Sequence, residues 1–236
     1  MTRMGDQALL DLWERLEGAA PVLRPAELLD GLRVWIGDAA AQPAATLPVG
    51  QRDRALIDLR ARLFGPDMHC STVCDHCGAR IDLAFDLTAL PSAPPESPAR
   101  IAIGESALRL RLPSTDDLAY VLGLPATIRP AALIRRCALD PLPDPLPLAL
   151  IEAASDAIAG ADPDAEIELA TACPECGTAQ AVIFDIGLCL WDDLTRAARR
   201  LIREVHHLAR AYGWTEAEVL AIPRRRRLEY LLVGSN

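Results

Sequence analysis

A mostly helical α+β fold is predicted by three observations. Cys74-Asp75-His76-Cys77-Gly78 has a twin far downstream, Cys173-Pro174-Glu175-Cys176-Gly177. Short alternating segments flank both turns: Ile81 to Asp86 after the first, Glu166 to Leu169 and Ala181 to Asp185 around the second. Most of the remainder carries apolar residues at a spacing of three or four, the mark of a helix with one buried face. The chain then reads as an N-terminal helical region over 1–73 and a split four-cysteine zinc ribbon over 74–90 and 164–187. An insert lobe over 91–163 and a C-terminal helical tail over 188–236 complete it.

The two turns supply four thiolates, which suits a tetrahedral metal site. A glycine after each Cys-x-x-Cys permits a positive φ, so that backbone N–H groups approach the sulfurs. Gly78 to Ala172 separate the pairs, far more than the roughly 15–20 residues of a compact ribbon. Closing the longer loop costs about 1.5 kcal/mol more, since closure entropy grows only as the logarithm of length. A structural zinc contributes on the order of 10 kcal/mol at neutral pH. The metal outweighs the loop, provided that the insert folds on its own. Cys74, Cys77, Cys173 and Cys176 are therefore the expected ligands. Zinc is preferred, with a rubredoxin-type iron as the competitor for the same turns. A redox Cys-x-x-Cys lacks its βαβ surroundings here, and disulfides suit an oxidising compartment. A filled four-sulfur shell is structural and leaves no position for a substrate. Cys70, His69 and His76 read as bystanders, and Cys137 and Cys189 as small core residues.

Composition sets further bounds. At 51% apolar the chain can bury a core, and its net charge is −9. All its cationic residues are Arg, with no Lys. No run reaches the apolar length needed to span a membrane. Met1-Thr2-Arg3-Met4-Gly5-Asp6 has no apolar signal core, so a cytoplasmic protein is expected. The acidic balance argues against general binding to nucleic acid, which needs many neutralised phosphates. From Cys189 to Asn236, however, nine Arg face six acids, and a basic tail on an acidic body suggests a contact surface of defined polarity.

In chain order, 6–17 form a helix with Leu9, Leu10, Leu12, Trp13 and Leu16 on one side. Pro25 opens a second helix over 25–36, with Leu28, Leu29, Leu32, Trp35 and Ile36 inward. Gly37 to Val49 connect. A third helix starts at Gly50, buries Leu56, Leu59 and Leu63, and stops at Phe64-Gly65-Pro66. Arg52, Asp53, Arg54, Asp58, Arg60 and Arg62 read as its solvated, salt-bridged face. The first cysteine turn follows.

The insert begins with the proline-rich Pro91 to Pro98, which cannot be regular helix. Ile101 to Ile103 and Leu108 to Leu112 form a strand pair turning at Gly104-Glu105-Ser106. Leu108, Leu110 and Leu112 alternate with Arg109 and Arg111. Ser114 caps a helix whose first turn holds Asp116 and Asp117. Helices are expected over 116–123, 130–139 and 147–160, with Pro141, Pro143, Pro145 and Pro147 separating the last two. Gly160 and Pro163 close the third.

The longest helix is expected over 188–212. Leu190, Leu194, Ala198, Leu201, Val205, Leu208 and Tyr212 form its stripe, widened by Trp191, Ala197, Ile202 and Ala209. His206 and His207 cannot share one helical face. Gly213 suits the residue beyond a helix end. Thr215 and Glu218 make a capping box, and Pro223 opens a final helix with Leu228, Leu231 and Leu232 aligned. Arg224-Arg225-Arg226-Arg227 covers every side of that helix. It reads either as a solvated end or as a docking surface with Trp214 and Tyr230 as aromatic anchors.

Taken together, several segments resemble a known family. They are Leu47-Pro48-Val49-Gly50-Gln51-Arg52-Asp53 with Leu63-Phe64-Gly65, both cysteine turns, and Leu112-Pro113-Ser114-x-x-Asp117-Leu118. Most specific is Tyr212-Gly213-Trp214-x-Glu216-x-Glu218-Val219-Leu220 with Arg225-Arg226-Arg227-x-x-Tyr230. The chain resembles the baseplate hub assembly chaperones of contractile-tailed, T-even-type phages, in the version found in phage-like bacterial contractile injection systems. The resemblance runs from about residue 45 to the end. It implies a non-enzymatic assembly role, Cys74, Cys77, Cys173 and Cys176 as zinc ligands, and a partner-binding tail from Trp191 to Tyr230 that engages a baseplate or hub structural protein. Partner-binding candidates are Trp191, Tyr212, Trp214, Arg224, Arg225, Arg226, Arg227 and Tyr230. The alternative is a nucleic-acid-binding zinc ribbon with a helix-turn-helix-like tail, which predicts salt-dependent binding to duplex DNA. A metal-dependent or redox enzyme ranks last, because it needs an open metal position or a reactive thiolate.

Overall fold

The computed structural model describes residues 5–37, 41–103 and 106–233. In chain order the elements are α1 (Asp6–Glu17), α2 (Arg24–Trp35), α3 (Val49–Phe64), β1 (Asp67–Val73), β2 (Arg80–Asp86), β3 (Ala99–Ile103) and β4 (Ser106–Leu110). Then come α4 (Thr115–Leu122), α5 (Arg129–Cys137), α6 (Leu148–Ala161), β5 (Ile167–Ala172), β6 (Ala179–Phe184), α7 (Ile186–Tyr212), α8 (Glu216–Ala221) and α9 (Arg224–Val233). The fold is mostly helical, with three antiparallel two-stranded sheets among the described residues: β1–β2, β3–β4 and β5–β6. The proposed turn at Gly104 and Glu105 lies outside the described residues, and Ser106 already belongs to β4.

The chain gathers into two compact units, residues 20–189 and residues 1–19 with 190–236. Thus α1 belongs with the C-terminal helices and not with α2 and α3. Its buried side, Leu9, Leu10, Leu12 and Leu16, is the one its spacing predicts.

Within the unit of residues 20–189, the strand β1 was not expected. It pairs with β2 along its whole length, Met68 opposite Phe85, Cys70 opposite Leu83 and Thr72 opposite Ile81. β5 and β6 pair likewise, Ile167 opposite Phe184 and Leu169 opposite Val182. The cysteine turns therefore join complete hairpins. The insert builds its own core, as the loop argument required. Ile101, Leu108, Leu110 and Leu112 pack with Ile134, Ala154 and Ala161. β4 ends at Leu110 rather than Leu112, because the Arg111 N–H donates to the Cys137 carbonyl at 2.8 Å and leaves the ladder. Outward-facing Arg109 pairs with Asp140 at 2.7 Å.

Ser114 and Asp117 form a capping box at the start of α4. Asp117 is 1% exposed yet receives Arg111, Arg136 and the Ser114 N–H. Burial alone would raise its pKa, but these donors outweigh it and hold the carboxyl well below the usual range.

The arginine face expected on α3 is corrected. Arg52 and Arg60 are both 6% exposed. Arg52 donates to Thr115 Oγ1 at 2.7 Å, and Arg60 donates to the carbonyls of Gly65 and Asp67 at 2.6 and 2.7 Å. Buried guanidinium is tolerated where its N–H groups find acceptors of this kind. Asp58 and Arg62 are exposed as expected, whereas Leu63 is only half-buried and Ile36 is exposed.

Asp53 has a pH signature. Burial pushes its carboxyl up to about 6 against the adjacent Arg52 guanidinium, and the carboxylates of Asp185 and Asp162 add to the rise. The unfolded value is about 3.9. Between these values the folded chain binds the proton more tightly, so stability falls as pH rises through that window and stays lower above it. Urea titrations at pH 4.5 and 7 should show about 2 kcal/mol of this loss, and Asp53→Asn should remove that part of the slope.

At the N-terminus of α3, the Gly50 N–H donates to Asp162 Oδ2 at 3.0 Å. A Cβ on Gly50 would lie 2.1 Å from Asp162 Oδ1 and 2.7 Å from the Ala165 nitrogen. Asp162 is tethered by its own bond to this residue and cannot swing aside freely. Gly50→Ala should therefore cost about 2–3 kcal/mol in denaturant titration, although Ala ordinarily favours a helix.

Candidate metal centre

Each cysteine turn is locked by the same two backbone bonds. The Cys74 N–H donates to Ala79 O at 2.8 Å and the Gly78 N–H to Cys74 O at 2.9 Å. In the twin, the Cys173 N–H donates to Thr178 O and the Gly177 N–H to Cys173 O, both at 2.9 Å. Gly78 and Gly177 have φ of 71° and 74°, the left-handed region that excludes most side chains. The first cysteine of each turn is 2% exposed, and the second is exposed.

The hairpins bring all four sulfurs within 4.8 Å of one another. Cys74 Sγ lies 3.6 Å from Cys176 Sγ, and Cys77 Sγ lies 3.6 Å from Cys173 Sγ. A tetrahedral ion with metal–sulfur bonds of about 2.3 Å requires sulfur–sulfur edges of about 3.8 Å, so the donor set fits a metal. Disulfide bonding needs about 2.05 Å. Two further ties join the halves. Gln180 accepts from the Asp75 N–H at 3.2 Å and donates to the Val73 carbonyl at 3.3 Å. Phe85 and Phe184 meet edge to face at 5.2 Å. Beneath the sulfurs, Cys74, Ile81 and Cys173 pack with Ala79 and Leu83.

The protons on these thiols are unevenly held. The Thr178 hydroxyl and N–H favour the Cys176 thiolate and bring it down to about 5. The Ala79 N–H favours the Cys77 thiolate, but the thiols of Cys176, Cys173 and Cys74 crowd it and push it up to about 12. Four thiolates this close repel unless a cation sits among them. His69, His76 and Cys70 stay outside the cluster. Cys137 is fully buried, and Cys189 is half-buried.

The tail candidates divide. Tyr212 stacks on Trp214 at 4.6 Å, and Tyr230 meets both rings edge-on at 5.7 and 5.1 Å. The Tyr212 hydroxyl also donates to the Tyr230 carbonyl at 3.2 Å. These rings use part of their faces on one another. Trp191 is half-buried. Arg224, Arg225 and Arg226 are exposed, but Arg227 is corrected: it is 1% exposed and pairs with Glu204 at 2.9 Å and Asp6 at 2.6 Å. Glu204 stands three residues after Leu201 and four before Leu208, on the buried side of α7, so an acid at an apolar-stripe position was the available signal. With Arg227 turned inward, Leu228 and Leu232 turn outward, at 42% and 68% exposure. Ile202 is likewise exposed rather than part of the α7 stripe.

Residues 29–137 match the family model of the T4 bacteriophage base plate protein. The matched stretch runs from within α2 to the end of α5. It contains the first cysteine turn and the capped start of α4, and stops short of Cys173 and the tail. Neither a curated protein nor a solved structure matches the chain. Among the described residues, no helix is long and apolar enough to cross a membrane.

Proposed function

We propose that this chain is a cytoplasmic, non-enzymatic assembly factor, a chaperone for the baseplate or hub of a phage-like contractile injection system. A structural zinc bound by Cys74, Cys77, Cys173 and Cys176 closes its ribbon. The match of residues 29–137 to the phage base plate family carries the reading. The clustered sulfurs support the zinc site, and a filled four-sulfur shell suits a structural rather than catalytic role.

In this reading the tail is the surface that meets a baseplate structural protein. Exposed Arg224, Arg225 and Arg226 lie beside outward-facing Leu228, Leu232 and Val233. Cationic groups rimming an apolar patch suit a partner that is acidic around its own apolar patch. The tagged protein, purified from cells producing the whole particle, should bring down a baseplate or hub subunit. Reversing Arg224, Arg225 and Arg226 to Glu should abolish that capture. Recovery of no structural subunit of the particle would overturn the proposal.

A further inference from the structure

A cavity of about 810 Å³ opens in the insert region among α4, α5, α6 and the start of β5. Leu118, Val121, Leu133, Ile134 and Ile158 supply apolar wall. Its volume lies in the range of sites that enclose a ligand or an anchoring side chain. The charged groups of its lining are Arg129, Asp162, Glu166 and Glu168. Arg129 already donates to the carbonyls of Leu124 and Leu122, at 2.9 and 3.1 Å. Glu166 and Glu168 are exposed at the rim and make no ion pair among the described residues. Asp162 is 3% exposed, and its Oδ1 has no hydrogen-bond donor among the described residues. The cavity thus combines a greasy floor with three carboxylates, against one guanidinium committed to backbone carbonyls.

We infer that this cavity is a docking site for a basic amphipathic segment of a partner protein, one that inserts apolar side chains while Lys or Arg beside them meet Glu166, Glu168 and Asp162. Charge complementarity selects this occupant. An acidic segment would bring like charges to the exposed Glu166 and Glu168, and a purely apolar one would leave those two carboxylates without a cation and Asp162 Oδ1 without a donor. The site uses none of the four cysteines and no residue of the tail, and does not depend on the zinc or on the baseplate reading.

The test uses the full-length chain and two synthetic helical peptides, one of Leu and Lys and a twin of Leu and Glu, followed by fluorescence anisotropy. The Leu–Lys peptide should bind at least about tenfold more tightly than the Leu–Glu twin. Ala159→Trp then plugs the cavity without changing the charge. Ala159 lines the cavity from an exposed position on α6, so the helix can carry the larger side chain. Ser155→Trp, one turn earlier on the same face, repeats the test should the first variant fold poorly. Both plugs should weaken Leu–Lys binding by about tenfold or more, and Glu166→Gln with Glu168→Gln should weaken it at low salt. Equal binding by plugged and native protein would place the peptide on the acidic surface at large and overturn the inference. So would equal binding of the two peptides. Self-association of the native chain that disappears in Ala159→Trp would also overturn it, because a second copy would then fill the cavity.

Discussion

Cys173→Ser will contain no stoichiometric zinc and will melt well below the native protein. The expectation follows from the distance in sequence between the two halves of the site. Each hairpin alone is two-stranded, and an isolated pair of strands is marginal in water. A metal that bridges the hairpins converts its binding energy into folding energy. Losing one of four thiolates weakens that bridge and leaves three crowded sulfurs without their cation. A loss of about 5 kcal/mol corresponds to a fall in melting temperature of about 10–20 °C for a unit of this size. Cys70→Ser is the matched control. Cys70 lies four residues before the first turn but outside the sulfur cluster, so this variant should keep its zinc.

Arg227→Met should be the most damaging single change in the tail. Its guanidinium serves Glu204, Asp6 and the Ile222 carbonyl. Methionine fills similar space but leaves a Glu204 side chain that is 7% exposed without its cation. Removing one partner of a buried pair costs about 3–5 kcal/mol, whereas replacing both with apolar groups can be close to neutral. Arg227→Met with Glu204→Met should therefore recover much of the loss. Trp13, Trp191 and Trp214 lie in the unit formed by residues 1–19 and 190–236 and Trp35 in the other, so denaturation in a Trp35→Phe background, followed by tryptophan fluorescence, reports on the first. A double variant no better than the single one would show that Arg227 contributes packing rather than charge.

Local chemistry was legible in the sequence. The twin cysteine turns, the Ser114 and Thr215 caps and the α7 stripe from Leu190 to Leu208 each depend on residues a few positions apart, and each appears where spacing places it, whereas Ile202 and Tyr212 are exposed. Apart from the meeting of the two cysteine turns, long-range pairing was not. Arg52 is buried because Thr115, from a distant helix, accepts its N–H. Arg227 is buried because Asp6 and Glu204 converge on it from other helices. Charge runs look solvated until such partners are placed. β1 carries little signal in the sequence, because its inward positions are Met68, Cys70 and Thr72, a weak apolar alternation. Gln180, which ties the two turns together, had no signal beyond its place two residues after Thr178 in a strand.

The two turns, brought together from opposite ends of the insert, are expected to hold one metal ion. The direct measurement is native mass spectrometry of the whole chain purified without chelator. One zinc per chain, absent from Cys173→Ser and retained in Cys70→Ser, is the predicted result. A metal-free chain with four freely titrating thiols at those positions would show that the cysteine cluster holds no ion.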